Sequence, residues 1–244
     1  MGQGRMLRRM AGAKPDEMGP DEMGPGGTEP GGTGLAEGAR AGAEADRSRL
    51  FHAGNRLLQD RHDGRRVADA LEARRRVESF APQHVALIEA TPFFFVATAA
   101  GSAVDCSFKG GPPGFVRVTG PASLEWPDYD GNSMHLSLGN ILLSPGIGML
   151  FIAFDGRSPR LRLRGRASLV EDPARLAAIP GARRLVRVAV TDIFPNCPRY
   201  IPDLAGGEPS AYLPRPDGGS AAPEWKGRDY IREILPRDDP HGGG

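Results

Sequence analysis

Cysteine, lysine and long apolar runs are scarce in this chain of 244 residues, and each scarcity removes a class of protein. The two cysteines, Cys106 and Cys197, stand far apart and lack the close spacing of a metal-binding or disulfide framework. The sequence therefore offers no metal site, and a reducing cytoplasm is the expected setting. No stretch has the apolar length needed to span a bilayer. The N-terminal arginines are not followed by the apolar segment of a secretory signal. A formal net charge of +1 and 7% aromatic residues give no bulk field that would recruit nucleic acid or an anionic membrane. No Ser-His-Asp set or obvious carboxylate pair stands out. The abundance of arginine, alanine and glycine over lysine has the stamp of a GC-rich genome.

Residues 1–45 are rich in Gly, Pro, Ala, Glu and Met, with Asp-Glu-Met-Gly-Pro repeated in tandem at 16–20 and 21–25. Such a segment buries too little apolar surface to offset its ordering entropy and is expected to be disordered. Met6, Met10, Met18 and Met23 are alternative start positions. From Asp46 to about residue 90, apolar residues recur at helical spacing and predict helices over 47–60, 64–77 and 82–90, a helical segment packing on the β region beyond it. The cluster Arg74, Arg75 and Arg76 reads as a solvated helix face.

Beyond Pro92 the period changes to two. Strands are expected over 93–99, 103–109, 115–118, 123–126, 147–154, 160–170 and 184–193, with a helix over 132–143 and a short one over 173–179. This pattern gives a mainly β protein, an antiparallel β-barrel of Greek-key type with flanking helices, over residues 91–202. Residues 203–244 form a C-terminal extension whose segment Glu-Trp-Lys-Gly-Arg-Asp-Tyr-Ile-Arg-Glu-Ile-Leu-Pro has enough apolar content to dock as a short helix, the tail after Pro236 being expected to stay loose.

The densest chemistry lies between Asp105 and Asn140. On the strand over 103–109, Val104, Cys106 and Phe108 share one face, and Asp105, Ser107 and Lys109 the other. Lys109 stands before Gly110 and Gly111, whose freedom from side chains lets backbone N–H groups approach an anion. Asn132 is a suitable N-cap, and with Ser133 it can offer a helix N-terminus to an anion. Ser137 and Asn140 lie opposite the stripe of Met134, Leu138, Ile141 and Leu142, facing either a ligand or solvent. Trp126 and Tyr129 are candidates for stacking on a flat ring or for the core. His135 is the sole histidine of the region. Cys197 is read as a buried structural thiol, and Asn196 and Arg199 as groups reaching a ligand from one barrel end. Arg162, Arg164 and Arg166 form a basic, solvated strand face.

These segments resemble the pyridoxamine 5'-phosphate oxidase-like family of FMN-binding split-barrel proteins, in its uncharacterised bacterial branch. The likeness is carried by His52-Ala-Gly-Asn-Arg-Leu-Leu, Phe94-Phe-Val-Ala-Thr-Ala, Asp105-Cys-Ser-Phe-Lys-Gly-Gly, Pro127-Asp-Tyr-Asp-Gly-Asn, Leu136-Ser-Leu-Gly-Asn-Ile and Asn196-Cys-Pro-Arg-Tyr-Ile. The resemblance implies a homodimer with FMN, or a deazaflavin as a variant, at the subunit interface. By position it matches Lys109 to the family's strand lysine, with Ser107 on the same face and Ser133, Ser137 and Asn140 on the following helix; with Gly110, Tyr129, Asn132, Asn196 and Arg199 they form the expected cofactor-binding set. The sequence departs from the vitamin B6 enzyme where that enzyme grips phosphate with an Arg-Lys pair; here Leu136 and Ser137 stand instead. The implied activity is a flavin-dependent oxidoreductase acting on a small molecule. The alternative is a non-catalytic sensor, carrier or store for flavin or haem.

Overall fold

The computed structural model describes residues 48–129, 133–154, 159–197, 199–201, 221–222 and 224–235, with Arg237 and Asp239. The low-complexity lead and most of the C-terminal extension lie outside them. Strands β1 (Phe93–Ala100), β2 (Ala103–Gly110), β3 (Arg117–Gly120), β4 (Ser123–Asp128), β5 (Gly146–Ile152), β6 (Arg160–Val170) and β7 (Arg184–Pro195) form one sheet. Its order is β2-β1-β5-β6-β7-β4-β3, and every neighbouring pair is antiparallel. With its flanking helices this is the mainly β, antiparallel architecture that the alternation predicts, and the split barrel that the resemblance implies.

The period-two pattern builds the barrel interior. On β6, Leu161, Leu163 and Ala167 are buried while Arg162, Arg164 and Arg166 are exposed. Phe94 of β1 lies at the centre, edge-on to Trp126 at 5.0 Å and stacked with Phe151 at 5.2 Å. Between Arg164 and Gly165 the β6–β7 register shifts. A Cβ at Gly165 would lie 2.6 Å from the Ala189 carbonyl oxygen, so this bulge requires glycine. Strand β3 begins at Arg117 rather than 115, because Phe115 and Val116 are buried ahead of it in the core.

The N-terminal helices are α1 (Ala53–Arg61), α2 (Arg65–Arg75) and α3 (Pro82–Ala90). Helix α1 starts at 53 instead of 47. Its preceding residues are held in another conformation by Glu72, which accepts from the Ser48 hydroxyl at 2.7 Å and the Arg49 and Leu50 amides at 2.8 and 3.0 Å. His52 then caps α1 through Nδ1, accepting from the Gly54 and Asn55 amides. Helix α4 (Leu136–Leu143) lies against β1 and β2, and α5 (Pro173–Ala177) is capped by Asp172. A 3-10 turn (Glu224–Gly227) and α6 (Asp229–Arg232) dock on α2, where Ile231, Leu235 and Val67 make a second apolar cluster. The tail past Pro236 is not wholly loose: Asp239 forms a buried ion pair with Lys226, 2.7 and 2.5 Å from Nζ to its two oxygens.

Candidate functional site

On β2 the sheltered residues are the polar ones. Phe94, Val96 and Thr98 of β1, all buried, pair with Lys109, Ser107 and Asp105, so the three polar side chains share the inner face. The apolar face looks outward instead, with Val104 76% and Phe108 61% exposed. Helix α4 explains the inversion, because it presents its hydroxyl and amide to that inner face. Ser137, only 3% exposed, donates to Asp105 Oδ2 at 2.7 Å; Ser107 donates to the same oxygen at 2.7 Å. The two hydroxyl oxygens are 2.8 Å apart. Asn140 Nδ2 donates to Thr98 Oγ1 at 3.1 Å and to the Ala103 carbonyl at 3.3 Å.

Ser137 and Asn140 thus face the sheet, not solvent, and Met134 and Leu142 are exposed rather than buried. Helix α4 is also shorter than expected. It begins at Leu136, preceded by Ser133 and His135 at φ +63° and +49°, a left-handed backbone that cannot continue a helix. Asn132, proposed as its N-cap, lies outside the described residues.

Beside this network opens a cleft of about 460 Å³. It brings together six of the residues expected to bind cofactor, Ser107, Lys109, Gly110, Tyr129, Ser133 and Ser137, with the candidate His135, and adds Phe108, Phe115 and Asp128. Asn140, Asn196 and Arg199 do not line it. Asn196 accepts from Arg160 through its carbonyl at 3.0 Å, and Arg199 Nε donates to Cys197 Sγ at 3.1 Å. Cys197 is exposed, as is Cys106, so the reading of a buried structural thiol is overturned. Trp126, 2% exposed, belongs to the core and is closed to any stacking ligand. Arg164 is not merely solvated; it lies 5.5 Å from the Phe194 ring centroid and donates to the Leu50 carbonyl.

Residues 80–202 match the pyridoxamine 5'-phosphate oxidase family, half of the chain and nearly all of the barrel. The chain belongs to that family. Among solved structures, this pyridoxamine 5'-phosphate oxidase family member is similar to HupZ of Group A Streptococcus, 16% identical over 48% of this chain and 98% of that one, with a TM-score of 0.38. A candidate pyridoxamine 5'-phosphate oxidase of Lactobacillus delbrueckii is 15% identical over 49% and 98%, at 0.39. A FAD-binding protein of Mesorhizobium loti is 12% identical over 47% and 93%, at 0.32. No curated protein matches the family member.

The electrostatics of the cleft limit what it can hold. The hydroxyls of Ser137 and Ser107, helped by the charge of Lys109, keep the Asp105 carboxyl below the usual carboxylate range. Lys109 makes no hydrogen bond or ion pair among the described residues, leaving its ammonium available to an anion. Gly111 serves packing rather than a cradle. Its N–H donates to the Pro92 carbonyl at 2.9 Å, and a Cβ there would meet the Phe115 ring at 2.6 Å. The walls are more polar than apolar; Tyr129 and Phe115 offer the aromatic surface a flavin ring would need, and one anionic contact fits Lys109. A phosphate gripped by both serine hydroxyls does not fit while Asp105 holds them.

The sequence drew attention to Asp105 without assigning it a role. Its period-two relation to Ser107 and Lys109 was the available signal. Asp128 and Phe108 carried no comparable one.

Proposed function

We propose that this protein is a flavin-binding oxidoreductase that works as a cytoplasmic homodimer on a small organic molecule. The observation that carries the reading is the cleft itself, a mainly polar space edged by Phe115, Tyr129 and Leu138, with a lysine that has no partner among the described residues, in a chain of this family. Its volume lies within the range of small-molecule sites. FMN is the form the family resemblance implies, with a deazaflavin as variant. Bound flavin supplies hydride and electron transfer, so the protein needs no side-chain nucleophile. Tyr129 would flank the ring, and Lys109 would neutralise the anionic end. Met134 and Leu136, exposed at the mouth, would keep water from the ring once covered.

A second copy of the chain is the cover that the exposed apolar residues support. Val104 and Phe108 on β2, with Leu142 and Leu143 on α4, leave large apolar side chains in water. Among the described residues no helix is long and apolar enough to cross a membrane.

The test is the visible absorption spectrum of the purified protein, with mass identification of any released chromophore. Flavin near one per subunit, bleached by reduced nicotinamide, is the expected result. A flavin that binds but is never reduced would favour the sensor or carrier. A protein that is colourless and takes up neither FMN nor deazaflavin would sink the flavin reading.

A further inference from the structure

We infer that Asp105 sets the ligand selectivity of the cleft, committing Ser107 and Ser137 to accept hydrogen bonds and so disfavouring phosphate at that position. The inference rests on the proposed flavin binding and narrows it. Both hydroxyls lie 2.7 Å from Asp105 Oδ2, and Ser107 and Ser137 are also part of the cleft wall. An ionised carboxylate only accepts, so the two serine protons are held within the triad, by Asp105 or by the 2.8 Å contact between the hydroxyls, and only lone pairs remain for a ligand. Bonds to a charged acceptor are the stronger kind, and Ser137 is buried, so the network is not casually rearranged.

A phosphate oxygen also only accepts. Placed against Ser107 and Ser137 it would find no proton and would face a like charge on Asp105. A group with O–H donors, such as the hydroxyls of a ribityl chain, matches the two serines. Lys109, on the same strand face two residues beyond Ser107, remains the one cation lining the cleft among the described residues. The position therefore suits a polyol segment, with any phosphate held at its margin by Lys109 alone. FMN gains little over riboflavin in such a site.

The experiment compares the affinities of FMN and riboflavin for the full-length protein and for Asp105→Asn, by quenching of flavin fluorescence. The wild-type chain is expected to favour FMN by less than about tenfold. In Asp105→Asn the like charge is gone and a serine proton is released, so the preference for FMN should rise by about tenfold or more. Both flavins binding with an unchanged or lowered preference in the variant would overturn the role of Asp105 and leave the flavin reading standing. Failure of both flavins to bind the wild-type chain would overturn the flavin reading and the inference together. Should the variant not fold, the wild-type ratio decides: FMN favoured by more than about tenfold overturns the inference, and a smaller preference supports it.

Discussion

Lys109 and Glu125 show how differently two charged residues can be employed in one barrel. Lys109 has no ion-pair partner among the described residues and lines the cleft, so its charge serves a ligand more than the fold. Lys109→Gln is expected to remove the small preference for FMN over riboflavin, with riboflavin binding and the thermal melt nearly unchanged. Equal loss for both flavins would remove Lys109 from the anionic end. Glu125 is 5% exposed on β4 and paired with Arg175 and with Arg187, the latter at 2.6 Å. Burial by itself would raise its pKa, but the hydrogen bonds and charges of the two arginines prevail and lower it. A folded-state pKa below the unfolded one gives stability that is present above about pH 4.3 and lost as pH falls through the folded value. Urea midpoints measured from about pH 5 to pH 3 should therefore drop steeply, and Glu125→Gln should flatten that acid limb. An unaltered limb in the variant would show that other carboxylates govern acid unfolding.

At the scale of elements, β6 and β2 share one period and differ in which face it buries. Along β6 the alternation of Arg with Leu, Gly and Ala assigns inside and outside correctly, since solvent covers the outer face. On β2 the same alternation is present, yet apolar Val104 and Phe108 face out and Asp105, Ser107 and Lys109 face in. Period two fixes which residues share a face; what lies opposite each face decides which is buried. Helix α4 supplies that neighbour; it buries Leu138 and Ile141 of the expected stripe but adds Ser137 to the buried face and leaves Leu142 exposed. The β6 bulge is a further feature of this scale. Gly165→Ala would force a Cβ against the Ala189 carbonyl and Val188, and should cost about 1–3 kcal/mol by urea denaturation. A variant as stable as the wild type would mean that the β6–β7 ladder can shift to make room.

At the scale of the whole molecule, the outward face of β2 and the end of α4 carry the most exposed large apolar side chains among the described residues, Val104, Leu142 and Leu143. Phe108 packs at 5.3 Å on Phe93 and near the edge of Phe95, so one face of a sheltered aromatic group is left open to water. If a second copy covers it, Phe108→Asp should convert a dimer to a monomer in sedimentation velocity and lower flavin affinity with it. A wild-type chain that sediments as a monomer at micromolar concentration would refute the homodimer. The satellite cluster of α2 and α6 is separate from this face. It ties Ile231 and Leu235 to Val67 and fastens the described part of the C-terminal extension to the helical segment.

Local pattern alone determined the strand positions, the antiparallel class, the order of helices and the stretch that holds the cleft. Each comes from periodicity, turn residues and caps within a few positions in the chain. Three outcomes needed the tertiary structure: the face of β2 turned inward, Trp126 sealed in the core, and Asp105 joined to Ser137 across 32 positions. A hydrogen bond between residues so far apart depends on where a helix lands on a sheet. Local spacing carries no record of that, and it is the contact that decides whether two serines donate to a ligand or accept from one.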